Sequence, residues 1–145
     1  KAHIFALKVR DVSEWLDESG WIAPLRPLSD EPLVMAYYDA YPLAHGQGIR
    51  EAPRDLLSRI PGVTLVPLAE SEICCGSAGI YNFTESDMAL RLQTRKVDNI
   101  LATGASIVAT GNPGCLTWIQ TGLLGRPGVE IRIAHPVTLL AEALA

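Results

Sequence analysis

Ser106-Ile107-Val108-Ala109-Thr110-Gly111-Asn112-Pro113-Gly114-Cys115 is the stretch that decides the fold. Its first half is a short apolar run of strand length, rich in β-branched residues. Asn112 and Pro113 then start a helix, because Asn is a good N-cap and Pro a good first helical residue. The segment reads as a strand running almost directly into a helix.

The same rhythm extends to either side. Upstream, Leu33-Val34-Met35-Ala36-Tyr37-Tyr38 reads as a buried strand ending at Asp39, with a loop through His45-Gly46-Gln47-Gly48. A helix follows from about Pro53 to Ile60, with Leu56, Leu57 and Ile60 turned inward, and Pro61-Gly62 stops it. Val63-Thr64-Leu65-Val66 is the second strand. Thr84-Glu85-Ser86-Asp87 resembles a capping box opening a long helix to Ala102, with Leu90, Val97 and Leu101 on one face and Gly104 as its stop. Downstream, Gly122 to Gly128 reads as a loop, Val129 to Ala134 as the fourth strand, and Thr138 to Ala145 as a closing helix.

Strands alternating with helices predict an α/β domain, Rossmann- or flavodoxin-like: a parallel sheet of about four strands with helices on both faces. It occupies residues 33–145. Residues 1–32 read as an N-terminal helix ended by Gly20, then a connecting arm carrying Pro24, Pro27 and Pro32. The chain begins at Lys1 in what reads as mid-helix, as expected of a piece of a longer polypeptide, though a processed or tag-cleaved start reads the same.

With 48% hydrophobic and 19% charged residues, the 145-residue chain has the composition of one folded domain. A net charge of −4 and no basic stripe argue against a nucleic-acid partner. No apolar run approaches the roughly 18 residues of a membrane span. No secretory leader is evident. Three cysteines, an odd number, do not suggest a disulfide framework, so a cytoplasmic setting is expected.

Two of those cysteines, Cys74 and Cys75, are adjacent and precede Gly76. Vicinal cysteines rarely pair with each other, because the short ring strains the backbone. A soft metal, an iron–sulfur cluster or thiol redox chemistry are the functional readings; two small buried hydrophobes are the bland one. In open α/β sheets, ligands bind beyond the carboxyl ends of the strands. Asp39 and Tyr41 follow the first strand, Cys74 and Cys75 the second, Gly111, Asn112 and Cys115 the third, and His135 the fourth. If Asn112 is the cap, Cys115 lies in the first helical turn, where the helix dipole favours thiolate. Asn112 reads first as a cap and second as a ligand. His135 and His45 are candidate metal ligands or loop hydrogen-bonding groups; His3 reads as a surface residue. Asp39 is a candidate ligand or a loop-stabilising acceptor. The glycines around His45 form neither a P-loop nor a dinucleotide fingerprint.

Cys74-Cys75-Gly76-Ser77-Ala78-Gly79, then Ala109-Thr110-Gly111-Asn112-Pro113-Gly114-Cys115, then His135-Pro136 and Leu139-Leu140 resemble the CCG cysteine-rich domain. The likeness is to the C-terminal such domain of the iron–sulfur subunit of glycolate oxidase. Lactate-utilisation iron–sulfur proteins and the cysteine-rich subunit of heterodisulfide reductase are more distant relatives. The family pattern is a cysteine, then Cys-Cys-Gly, then Cys-x-x-Cys. Here Asn112 stands at the first cysteine of the final pair. The usual Asp-x-Cys-His-Leu reads Asp39-Ala40-Tyr41-Pro42-Leu43, so Tyr41 occupies the earlier cysteine position and is expected to fill the vacated space.

The resemblance implies an iron–sulfur, electron-transfer domain of a glycolate- or lactate-type 2-hydroxy acid oxidase or dehydrogenase complex. In such a complex a separate flavin subunit oxidises the substrate, and electrons pass toward the quinone pool. It further implies partners among flavin-containing subunits and a peripheral place at the inner membrane through the complex. No catalytic residue is expected on this chain. Cys74, Cys75 and Cys115, with Gly76 and Asn112 beside them, are the implied cofactor-binding residues. Three thiolates suit a [3Fe–4S] cluster, or a [4Fe–4S] cluster with His135, His45, Asp39 or water as the other ligand. Zinc in a Cys₃His site is the chemical alternative. The rival classes are a metal-free structural or subunit-interaction module that has lost a ligand at Tyr41, and a thiol redox enzyme.

Overall fold

The computed structural model describes residues 1–6, 8–21 and 23–145. Four strands, β1 (Leu33–Tyr38), β2 (Val63–Val66), β3 (Ile107–Thr110) and β4 (Arg132–Ala134), form one sheet in the order β2-β1-β3-β4, and every pairing is parallel. Among the described residues, seven α-helices accompany them: α1 (Ala2–Ala6), α2 (Val12–Glu18), α3 (Glu51–Ser58), α4 (Tyr81–Thr84), α5 (Ser86–Ala102), α6 (Pro113–Leu124) and α7 (Pro136–Ala143). The expected α/β sheet with helices on both faces is therefore the observed fold.

Strand alternation divides the core. Met35 and Tyr37 of β1, with Ile107 and Ala109 of β3, face α3 and α7 through Leu56, Leu57, Leu139 and Leu140. Ala36 and Tyr38, with Val108, face α5 and α6 through Val97, Ile100, Ile119 and Leu123. Successive side chains of a strand point to opposite faces, so one apolar run supplies both layers. The strand order doubles back at β1, which is flanked by β2 and β3. That reversal is the switch point at which doubly wound sheets bind ligands, and the register pairs Tyr38 with Thr110 there.

The local readings hold unevenly. The N-terminal helix is two short helices. The arm after it lies against the α3/α7 layer through Trp21, Leu25 and Leu28, beside Leu16 of α2, and Arg26 N donates to Ala143 O at 2.8 Å. The loop after β1 contains a π-helical turn, Pro42–Gln47. Thr84 does not cap α5: it ends α4, and its hydroxyl turns back to the carbonyls of Ile80 and Tyr81. The buried face of α5 is Ala89, Gln93, Lys96, Val97 and Ile100, whereas Leu90 is exposed. Helix α6 continues through Gly122 to Leu124, and β4 is only three residues long.

Candidate functional site

The three cysteines meet at the carboxyl end of the sheet, on the α5/α6 side. Cys115 begins the buried stripe of α6 that Ile119 and Leu123 continue. Asn112 caps that helix: its side-chain oxygen accepts from the Cys115 amide at 3.1 Å, with Pro113 at the first position. Cys75 is fully buried and Cys74 half-buried; all three thiols are free.

The Cys74–Gly79 loop is shaped by backbone that few residues adopt. Gly76 has φ +95°, Ala78 +27° and Gly79 +63°. A Cβ on Gly76 would stand 2.4 Å from the Ala89 carbonyl oxygen, so the loop lies directly on α5 and only glycine fits. This winding turns backbone N–H groups onto the sulfurs. The Gly76 amide donates to Cys74 Sγ at 3.4 Å, the Ala78 amide also reaches Cys74, and the Ser77 amide reaches Cys75. Oriented amides of this kind favour anionic ligands.

The thiols interact in series, Cys74 with Cys75 and Cys75 with Cys115. The contact with Cys75 holds the Cys115 thiol below its ordinary value, against burial, and a hydrogen bond with Tyr38 helps. Cys74 and Cys75 are both pushed up, chiefly by their roles in the same series and by burial. Cys115 is thus the most acidic of the three.

Beneath the thiols lies a polar layer. The Cys75 amide donates to the Tyr38 hydroxyl at 3.0 Å, and Trp118 Nε1 donates to the Cys75 carbonyl at 2.9 Å. Gln93 Nε2 donates to the Trp118 carbonyl at 2.5 Å, fixing α6 to α5. Lys96 Nζ sits 4.5 Å from the centre of the Tyr38 ring and donates to the Glu70 carbonyl. Burial pulls the Lys96 ammonium down to about 8, with the thiols and Glu70 acting in the opposite direction. The Thr110 hydroxyl, at the end of β3, is buried without a hydrogen-bond partner in the protein.

Above the thiols is a cavity of about 420 Å³, lined by Tyr41, Pro42, Cys74, Asn112, Cys115 and the 77–79 segment. Tyr41 does not fill it. Its side chain is half exposed and its ring rests against His45, with centroids 4.4 Å apart. The larger space is therefore open at the position where the resemblance places a further cysteine.

The other sequence candidates each have hydrogen-bond partners of their own. Asp39 is buried and gripped by Arg54 through two hydrogen bonds, at 2.7 and 2.6 Å. Burial pushes its carboxyl up, but Arg54 and Ser71 outweigh this and hold it below the ordinary carboxylate range. His45 is exposed, with Nε2 3.3 Å from the Glu72 carbonyl oxygen, and Arg50 ion-pairs with the Glu72 carboxylate. His135 caps α7, its Nδ1 accepting from the Val137 amide at 3.2 Å. Among the described residues, no group of three or more His, Cys, Asp and Glu is set closely enough to hold one metal ion. The polar layer of Tyr38, Gln93, Lys96 and Trp118 lies outside the sequence reading. Its signal is faint: polar residues three apart on a helix, at positions 93 and 96, within an otherwise apolar stripe.

The donor set nonetheless fits an iron–sulfur cluster in chemistry. It offers three thiols, backbone amides aimed at two of the sulfurs, an orphan buried hydroxyl on the same side of the sheet, and a cavity over them.

A parallel α/β sheet with vicinal and helix-borne thiols at its switch point defines a cysteine-rich domain. The chain belongs to the CCG cysteine-rich domain family, whose profile matches residues 35–120. It is 34% identical over 145 residues to the probable glycolate oxidase iron-sulfur subunit of Bacillus subtilis, covering 99% of this chain and 32% of that protein. It is 32% identical over 113 residues to lactate utilization protein A of an Exiguobacterium species, covering 78% of this chain and 46% of that protein. With the glycolate oxidase iron-sulfur subunit of Escherichia coli it shares 29% identity over 150 residues, covering 97% and 34% respectively. The chain thus spans 32% to 46% of the length of these relatives.

Proposed function

We propose that this domain binds an iron–sulfur cluster through Cys74, Cys75 and Cys115 and relays electrons within a complex that oxidises a 2-hydroxy acid of the glycolate or lactate type. The observation that carries this reading is the bed of backbone amides and thiols under an open cavity at the switch point. When bound, the cluster supplies one-electron oxidation and reduction. The protein's own share is to hold and orient. The winding of the Gly76 loop presents Cys74 and Cys75 from one side, and the Asn112-capped start of α6 presents Cys115 from the other. Tyr38 and Trp118 fix the backbone of Cys75 from below.

Three protein thiolates leave the cluster either as [3Fe–4S] or as [4Fe–4S] with a ligand other than cysteine. The cavity beside Tyr41 is the place for that ligand or for water. The names of the relatives support oxidase subunits as partners; in this proposal a flavin-containing subunit is among them and electrons pass on to the quinone pool. Among the described residues no helix is long and apolar enough to cross a membrane. In this proposal any membrane contact is peripheral, through the complex, on the cytoplasmic side.

The test is iron, acid-labile sulfide and zinc per chain, with a visible spectrum, on protein purified without oxygen. Iron and sulfide together, with a broad visible band lost in Cys115→Ser, is the expected result. Zinc alone would replace the cluster with a structural site. A folded, metal-free protein unaffected by serine at all three cysteines would sink the proposal.

A further inference from the structure

Lys96 is the one lysine among the buried residues, 2% exposed on the inward face of α5. An ammonium there has lost its water, and removing an ion from water is expensive unless an opposite charge compensates. Among the described residues no carboxylate forms an ion pair with it. The Glu70 carboxylate is hydrogen-bonded to Arg95 and Asn99 and acts on Lys96 through space, while the direct contacts of the ammonium are the Glu70 main-chain carbonyl and the face of the Tyr38 ring. That same tyrosine holds the Cys75 amide through its hydroxyl. The cation is therefore one aromatic side chain away from the thiol layer, and Cys75 and Cys74 are among the groups that favour its charged form.

We propose that Lys96 is a positioning residue for the cluster: a buried cation on the α5 side of the thiols that raises the cluster's reduction potential. The inference rests on the cluster reading above. Its physical basis is simple. Reduction adds one negative charge, and a fixed positive charge in a low-dielectric interior stabilises the reduced form more than the oxidised one. Net charge and surroundings are the established means by which proteins tune such centres. The ammonium is held in the interior, donating to the Glu70 carbonyl and lying against the Tyr38 ring on a residue that is almost fully buried.

The experiment is an anaerobic redox titration of the cluster's visible spectrum in the wild-type protein, Lys96→Met and Lys96→Arg. Methionine keeps the length of the side chain and removes the charge. We expect the methionine variant to retain iron and sulfide and to reduce at a potential lower by about 59 mV, a tenfold change in the reduction equilibrium. The arginine variant stays near the wild-type value. An unchanged potential in Lys96→Met with normal iron and sulfide overturns the proposal. If that variant does not fold, Lys96→Gln takes its place; failure of both neutral variants beside a folded arginine variant makes the charge purely structural and also overturns it. A wild-type chain that binds neither iron nor sulfide is a different result: it refutes the cluster reading first.

Discussion

Tyr37 and Tyr38 are neighbours on β1, both buried, and each carries a cation on its ring: Arg54 at 4.7 Å on the first, Lys96 at 4.5 Å on the second. The likeness ends there. The Arg54 guanidinium meets a carboxylate, Asp39, whereas the Lys96 ammonium directly meets a carbonyl and the ring. The Tyr37 hydroxyl has no hydrogen-bond partner in the protein, whereas the Tyr38 hydroxyl accepts from the Cys75 amide. One face of the sheet is electrostatically closed within itself. The other holds a cation without an ion-pair partner among the described residues, polar bonds reaching the cysteine backbone, and a cavity.

The difference is steepest at the glycines that end loops on the two sides. Gly76, on the thiol side, has φ +95° and a backbone oxygen 2.4 Å from where a Cβ would stand. Gly62, in the turn before β2, has φ +79° and open space around it. Gly76→Ala incurs both backbone strain and a clash with α5, a loss of about 3 kcal/mol or more. Gly62→Ala carries the strain alone, about 1 kcal/mol. Chemical denaturation of the two variants measures the contrast; equal losses would mean that the loop can lift from α5 and that the thiols are not held in place.

Next in size is the ion pair of the closed face. Arg54→Ala leaves the Asp39 carboxylate buried without its partner, at a cost of about 2–3 kcal/mol given that Arg54 is partly exposed. The pH dependence has a definite sign. The Asp39 carboxyl is held below its ordinary 3.8 in the folded protein. Its contribution is therefore complete above that value and disappears as pH falls through the lower, folded one. Unfolding midpoints followed from about pH 5 to about pH 2 should drop more steeply for the wild type than for Asp39→Asn. Parallel curves would mean that the pair contributes nothing, and that the closed face owes its stability to packing alone.

How legible these faces are in the sequence follows from what each uses. The strands, their order of appearance and the Asn112 cap are readable because apolar runs and capping residues act locally. The gathering of three thiols at one edge is readable because strand ends share an edge in a parallel sheet. The bidentate partner of Asp39 is not, since Arg54 lies 15 positions away and nothing local marks it. The face of α5 differs from its reading by a fraction of a turn. Leu90 belongs inside by its chemistry, yet Ala89, Gln93 and Lys96 are there instead. Polar residues on a helix are ordinarily on its wet side, and here they form the layer beneath the thiols. The sequence rule fails where a buried polar layer replaces an ordinary core.

The smallest expected effect is the sharpest test of that replacement, because it changes one oxygen atom on each face. Tyr37→Phe removes a buried hydroxyl with no partner in the protein, so it should be neutral or slightly stabilising, within about 0.5 kcal/mol. Tyr38→Phe removes the acceptor of the Cys75 amide and leaves that buried N–H unsatisfied, at a cost of about 1–2 kcal/mol. The same change withdraws a hydrogen bond that helps hold the Cys115 thiol below its ordinary value. Alkylation of the metal-free protein near neutral pH should therefore slow at Cys115 in Tyr38→Phe and stay at the wild-type rate in Tyr37→Phe. Equal behaviour of the two variants would reduce the difference between the faces to packing. Loss of stability without any change in alkylation would place the Tyr38 hydroxyl in the service of the Cys75 backbone alone and leave the acidity of Cys115 to Cys75.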